Sequence, residues 1–136
     1  MVYKRKAHVL FVGCGDTSRA TLATAIANTL GQRYMLARAV GMAAEPLLPE
    51  LQGALHTLGL DPTDPLLPLD ASHLQWADLV IALDEAVAQA FPQLPQGVQI
   101  RCYPFPSPEN AQHLYQVRDA IQQRIAGMVG GMAMLA

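Results

Sequence analysis

Apolar residues along the chain fall into short compact runs that alternate with stretches of helical spacing. His8 to Val12 is an apolar run closed by glycines and predicts a strand. Leu22, Ala23, Ile26, Ala27 and Leu30 then recur at steps of three and four. They predict a helix that a Thr17 or Ser18 hydroxyl would cap and Gly31 would end. Met35 to Val40 predicts a second strand, ending at Gly41. Pro49 to Leu58 predicts a helix with Pro49 in its first turn and Leu51, Leu55 and Leu58 on one face. Asp78 to Leu83 contains Leu-Val-Ile-Ala-Leu, the mark of a strand buried on both faces. Glu85 to Phe91 predicts a short helix stopped by Pro92, and Val98 to Tyr103 a fourth strand. A last helix starts near Asn110, where Leu114, Val117, Ile121, Ile125 and Met128 give the best amphipathic pattern in the chain.

The order β-α-β-α-β-α-β-α implies an α/β fold: a parallel sheet with helices on both faces and right-handed crossovers. No repeat, low-complexity tract or linker divides the chain, so residues 1–136 are expected to form a single domain. Prolines cluster from Pro46 to Pro68 and from Pro92 to Pro108, which predicts two long connections. The tail from Met128 to Ala136 is apolar and broken by glycines. It is expected either to fray or to pack on a partner chain, and it makes a homo-oligomer the favoured assembly.

Composition narrows the function classes. Hydrophobic residues make up 51% and charged residues 15%, so the chain buries a core rather than staying disordered. A net charge of −2 argues against nucleic acid or an anionic membrane as the main partner. Two cysteines are too few for a disulfide scaffold. Lys4-Arg5-Lys6 followed by His8 to Val12 imitates a signal peptide, but its apolar part is too short, and no run is long enough to span a bilayer. A cytoplasmic protein is expected. His8, His56, His73 and His113 lack metal-ligand spacing, so neither a metal nor a cofactor is expected.

In open parallel sheets the ligand crevice lies outside the carboxyl ends of the strands. The loop after the first strand therefore comes first: Gly13-Cys14-Gly15-Asp16-Thr17-Ser18-Arg19. It leads from a buried strand into a helix N-terminus. Its glycines let the backbone curl so that several N–H groups point inward, a nest suited to a phosphate-like oxyanion. Arg19 could fold back and grip two anion oxygens. Cys14 would sit in the same positive field, where a thiolate nucleophile is favoured. A tight turn with an inert thiol and a surface arginine accounts for the same seven residues equally well.

The wider context shifts the weight between these two readings. "VLFVGCGDTSRATLATAIANTL" resembles the opening of the low-molecular-weight protein tyrosine phosphatases and of their relatives, the thioredoxin-linked arsenate reductases. "ARAVGMAAEP", "ALHTLGLD", "WADLVIALDEAVAQAFP" and "YQVRDAIQQRI" look like later segments of that family, in the same order. The resemblance implies a three-layer sandwich with a four-stranded parallel sheet in the order 2-1-3-4 and helices on both faces. It also implies phosphatase chemistry, with residues 13–19 as the phosphate-binding loop.

The departures from the family pattern fall on the chemistry. The family motif is Cys-x5-Arg, and counting back from Arg19 puts Gly13 at the nucleophile's position; Cys14 is one residue late. A one-residue shift moves a side chain by more than about 3 Å and turns it elsewhere. Asp16 replaces the family's Asn and brings negative charge to the loop, where it could repel phosphate or pair with Arg19. Ala20 replaces a Ser that helps hold the thiolate, and Ser18 stands where many members carry a second Cys. The family's Asp-Pro general acid has no counterpart in "CYPFPSPEN": Tyr103-Pro104 and Ser107-Pro108 lack the carboxylate, and Glu109 would serve only if the loop refolds. Asp61-Pro62 and Asp64-Pro65 have the dipeptide in another loop and read as turns. Tyr103 and Phe105 could wall the pocket; Trp76 is expected to pack on the sheet.

The expectation is a phosphatase-like protein that is catalytically impaired, with residues that argue against normal activity. It would work by binding a phosphate-like oxyanion or a phosphorylated partner. The alternative is an active phosphotyrosine or phosphomonoester phosphatase with Cys14 as nucleophile and Arg19 as phosphate clamp. An arsenate reductase using Cys14 and Cys102 ranks third.

Overall fold

The computed structural model describes residues 5–60, 66–91 and 93–135. Its elements alternate in the expected way: β1 (Ala7–Asp16), α1 (Ser18–Leu30), β2 (Met35–Glu45), α2 (Pro49–Thr57), β3 (Leu67–Pro68), α3 (Ala71–Trp76), β4 (Leu79–Ala82), α4 (Glu85–Ala90), β5 (Gln99–Cys102) and α5 (Ala111–Leu135). The sheet is parallel throughout, in the order β3-β2-β1-β4-β5. It therefore has five strands rather than the expected four. The added strand is β3, two residues at the edge that pair with Val40 and Gly41 of β2. Without it the order is the expected one.

The pleat of β1 divides the core. Val9 and Phe11 face one layer, where Leu22, Ala23, Leu51, Leu55, Leu114, Val117, Ile121 and Ile125 from α1, α2 and α5 pack. Leu10 and Val12 face the other layer, with Leu74, Val80 and Val87 beneath α3 and α4. Period-two alternation means that neighbouring residues of a strand serve opposite cores. That rule decides the fate of Gly13 and Cys14 below.

Two local expectations are corrected. The hydroxyls of Thr17 and Ser18 do not cap α1; Thr17 is the N-cap residue without a side-chain bond. The tail does not fray as an irregular segment, because α5 runs on through Gly127, Gly130 and Gly131 to Leu135. Met128, Val129 and Met132 pack against this chain's own core, leaving Met134 as the large, strongly exposed side chain of the tail among the described residues. Trp76 lies parallel to the His8 ring at 4.4 Å, with the Arg38 guanidinium 4.2 Å from the indole, at the far end of β1 from the loop. The Asp61-Pro62 and Asp64-Pro65 turns, and the Pro92 stop, fall outside the described residues.

Candidate functional site

The carboxyl ends of β1 and β4, the start of α1 and the loop after β5 meet at the carboxyl end of the sheet. Leu83 N–H donates to the Val12 carbonyl, and Phe105 N–H donates to the Leu83 carbonyl, so the three segments lie side by side. β1 ends in an irregularity: Cys14 pairs with Met42, but Asp16 pairs with Glu45, so β2 has one residue more over this stretch. Gly15 at φ +69° and Ala43 at φ +48° both fall within this stretch. A left-handed alanine is unusual and costs on the order of 1 kcal/mol.

Gly13 belongs to the α1 face. A Cβ built there would meet the Ala20 Cβ at 3.5 Å, ordinary van der Waals contact. Cys14, one residue on, packs against the opposite core and pairs with Met42 of β2. Its sulfur thus faces away from α1. Gly13 and Ala20, which stand where the family resemblance puts a nucleophile and its supporting hydroxyl, face each other across the start of the helix.

Arg19 is buried at 4% exposure rather than lying on the surface. Nη1 donates to the Phe105 carbonyl at 2.9 Å and, at the longer distance of 3.4 Å, to the Leu83 carbonyl. Nη2 donates at 3.3 Å to the Cys14 carbonyl and to Asp84 Oδ2, the latter an ion pair. The guanidinium therefore ties together β1, β4 and the loop after β5. A cation in the first turn of a helix opposes the helix dipole. Asp84 offsets that cost, and the same carboxylate caps α4 by accepting from Val87 N–H at 2.8 Å.

Asp16 does not pair with Arg19, contrary to one expectation. Its Oδ1 accepts from Ser18 N–H at 2.8 Å and its Oδ2 accepts from the Ser107 hydroxyl at 3.1 Å. The carboxylate thus supplies the cap that the hydroxyls were expected to give. Two donors in the same turn stay buried and unpartnered: Arg19 Nε and Ser18 Oγ.

The remaining expected residues lie around this centre. Tyr103 and Phe105 are half-buried and pack against the α1–α5 core, and Arg124 lies 4.2 Å from the Tyr103 ring. Glu109 is exposed, its N–H donating to His113 Nδ1. Cys102 sits on β5 with β4 between it and β1. Two strand spacings separate it from Cys14 by roughly 9–10 Å, beyond the roughly 7 Å Cα span of a disulfide. Burial, with Glu85 and Asp84 nearby, pushes the Cys102 thiol above its ordinary value, which further weakens it as a nucleophile. Among the described residues no group of three His, Cys, Asp or Glu side chains could hold a metal ion. A groove of about 280 Å³ lies away from the loop, between the outer side of α1, Leu58, Leu60 and α5.

Sequence reasoning passed over Asp84 and Ser107 as partners of the loop. Asp84 had a detectable signal, an Asp directly between an apolar strand and a helix, the pattern of an N-cap.

This arrangement of sheet, helices and terminal loop is the fold of the low-molecular-weight protein tyrosine phosphatases and the thioredoxin-dependent arsenate reductases. A YwlE mutant from Bacillus subtilis superposes with a TM-score of 0.75 at 20% identity, over 94% of this chain and 99% of that one. A low-molecular-weight protein tyrosine phosphatase from Bacillus subtilis gives 0.73 at 20%, over 93% and 97%. The thioredoxin-dependent arsenate reductase Cg_ArsC1' of Corynebacterium glutamicum gives 0.74 at 18%, over 99% of this chain and 66% of that one. No protein-family model matches the sequence. No curated protein matches it either. No helix among the described residues is long and apolar enough to cross a membrane.

Proposed function

We propose that this chain is a phosphatase-like protein that is catalytically impaired and acts by binding at the loop of residues 13–19. One observation carries the reading. The β1 position facing α1 and Ala20 is Gly13, while the thiol of Cys14 packs in the opposite core. No rotation about Cys14 side-chain bonds moves its sulfur through the sheet. In-line attack on phosphorus needs the nucleophile within a fraction of an ångström of its proper place. The missing Asp-Pro acid adds to this, since general acid–base assistance contributes typically 10²–10⁴-fold. A residual oxyanion cradle is supported by the two unpartnered donors of the first turn, Ser18 Oγ and Arg19 Nε.

The test is hydrolysis of para-nitrophenyl phosphate by the purified protein beside Cys14→Ser, both verified as folded by circular dichroism. The expected result is no turnover above the buffer rate in either. Turnover by the unmodified protein that Cys14→Ser abolishes would overturn the reading and establish Cys14 as the nucleophile.

A further inference from the structure

We propose that the groove between α1, α5 and the end of α2 binds a straight-chain carboxylate of about eight to ten carbons. Leu22 and Ile26 of α1, Leu58 and Leu60 after α2, and Arg118 and Gln122 of α5 line it. Leu22 is buried in the main core, and Ile26, Leu58 and Leu60 pack against that core, so the fold itself holds the apolar lining in place. Gly59, at φ +80°, reverses the chain after α2. Its N–H donates to the His56 carbonyl, and Leu60 N–H donates to the Leu55 carbonyl. That turn brings Leu60 back to the helix and occupies carbonyls whose negative ends would repel an anion. The volume, about 280 Å³, lies near the lower end of small-molecule sites. At about 30 Å³ for a group the size of a water molecule, it holds roughly nine such groups. The polar side comes from α5. The Thr29 hydroxyl is spent on the Ala25 carbonyl at 2.9 Å, whereas Arg118 and Gln122 stand one turn apart on one face of their helix. No carboxylate is among the described lining residues. Arg118 does meet Asp119, its neighbour in sequence, with Nε and Nη2 at 3.2 and 3.1 Å from Oδ1. Asp119 is 69% exposed, and an exposed pair of this kind contributes little, so a ligand carboxylate can take up the guanidinium at small cost. An apolar groove with a cation and no anion in its lining complements an anion that carries an apolar tail.

The groove lies away from residues 13–19, so its occupancy and the turnover test of the loop are read separately. The probe is sodium octanoate at constant ionic strength, with acetate and octylammonium as controls, followed by calorimetric titration and by melting temperature. The expected result is a single saturable site for octanoate with a rise in Tm, and at least about tenfold weaker binding of either control. Arg118→Gln should weaken octanoate binding at least about fivefold and erase the preference over octylammonium. Asp119→Asn, which removes the competing carboxylate, should tighten it. Ala25→Trp, which adds bulk at a lining position, should abolish binding in a chain verified as folded by circular dichroism. Absence of saturable octanoate binding, equal binding of octylammonium, or unchanged affinity in Arg118→Gln or in folded Ala25→Trp would each overturn the proposal, as would weaker binding by Asp119→Asn.

Discussion

Replacing Arg19 by alanine tests whether this arginine holds the carboxyl end of the sheet together. The side chain is 4% exposed and donates to three carbonyls and one carboxylate. Three of these contacts, at 3.3–3.4 Å, are long, and the 2.9 Å bond to Phe105 is the strongest. Removing one partner of a buried pair costs about 3–5 kcal/mol, since the groups left behind lose their bonds without regaining water. Asp84, at 22% side-chain exposure, can rehydrate in part, which favours the lower half of that range. For 136 residues, an unfolding entropy of roughly 2 cal/mol/K per residue converts each kcal/mol to about 3–4 °C. Arg19→Ala should therefore lower Tm by roughly 10–14 °C, with a matching fall in urea midpoint and an unchanged m-value. Asp84→Asn keeps the α4 cap but leaves Arg19 buried without its counter-charge, and should cost about 3 kcal/mol. The double variant should lose less than the sum of the two singles. A Tm change under about 2 °C for Arg19→Ala would refute the structural role and return the residue to ligand binding.

Gly13→Cys should fold with a Tm within about 3 °C of the parent, because its Cβ meets Ala20 at ordinary contact distance; a large loss, read by thermal melting, would contradict that geometry. Cys102 should alkylate slowly at pH 8 in the native protein and faster after unfolding, as expected for a thiol raised by burial and the nearby Glu85 and Asp84; equal rates would contradict it. Bonds from Ser72 and His73 hold the Asp70 carboxyl below its ordinary value. Its stabilising effect is therefore full above the ordinary carboxylate range and lost as pH falls through the depressed folded value. Asp70→Ala should lower stability at pH 7 and flatten that acid limb in urea titrations. Deleting residues 128–136 should destabilise the fold, since Met128, Val129 and Met132 pack on this chain's own core; an unchanged Tm would show the tail to be idle.

The main strands and helices were legible because each carries its own periodicity over enough residues. β3 was not, because two residues in a proline-rich stretch carry no pattern. α3 was missed because no proline or glycine closes it, as Pro92 follows the equally short α4, although Asp70 and His73 form a capping box at its start. The glycines of the tail suggested a break. Each disfavours helix by about 1 kcal/mol, but docking of Met128, Val129 and Met132 outweighs that local preference. At the site, the one-residue displacement of Cys14 could be counted from the sequence, and the pleat turned that count into an opposite face. The pairing of Arg19 with Asp84 could not be read, because it joins positions 65 residues apart that meet only when β1 and β4 are neighbours.

The contact between Gly13 and Ala20 constrains how such a loop could change over time. A thiol at position 13 and a hydroxyl at position 20 would share one small space, so the worth of each substitution depends on whether the other is present. Exchanging either residue alone therefore reports a different effect from exchanging both. The pair behaves as one packing unit that joins the end of β1 to the start of α1.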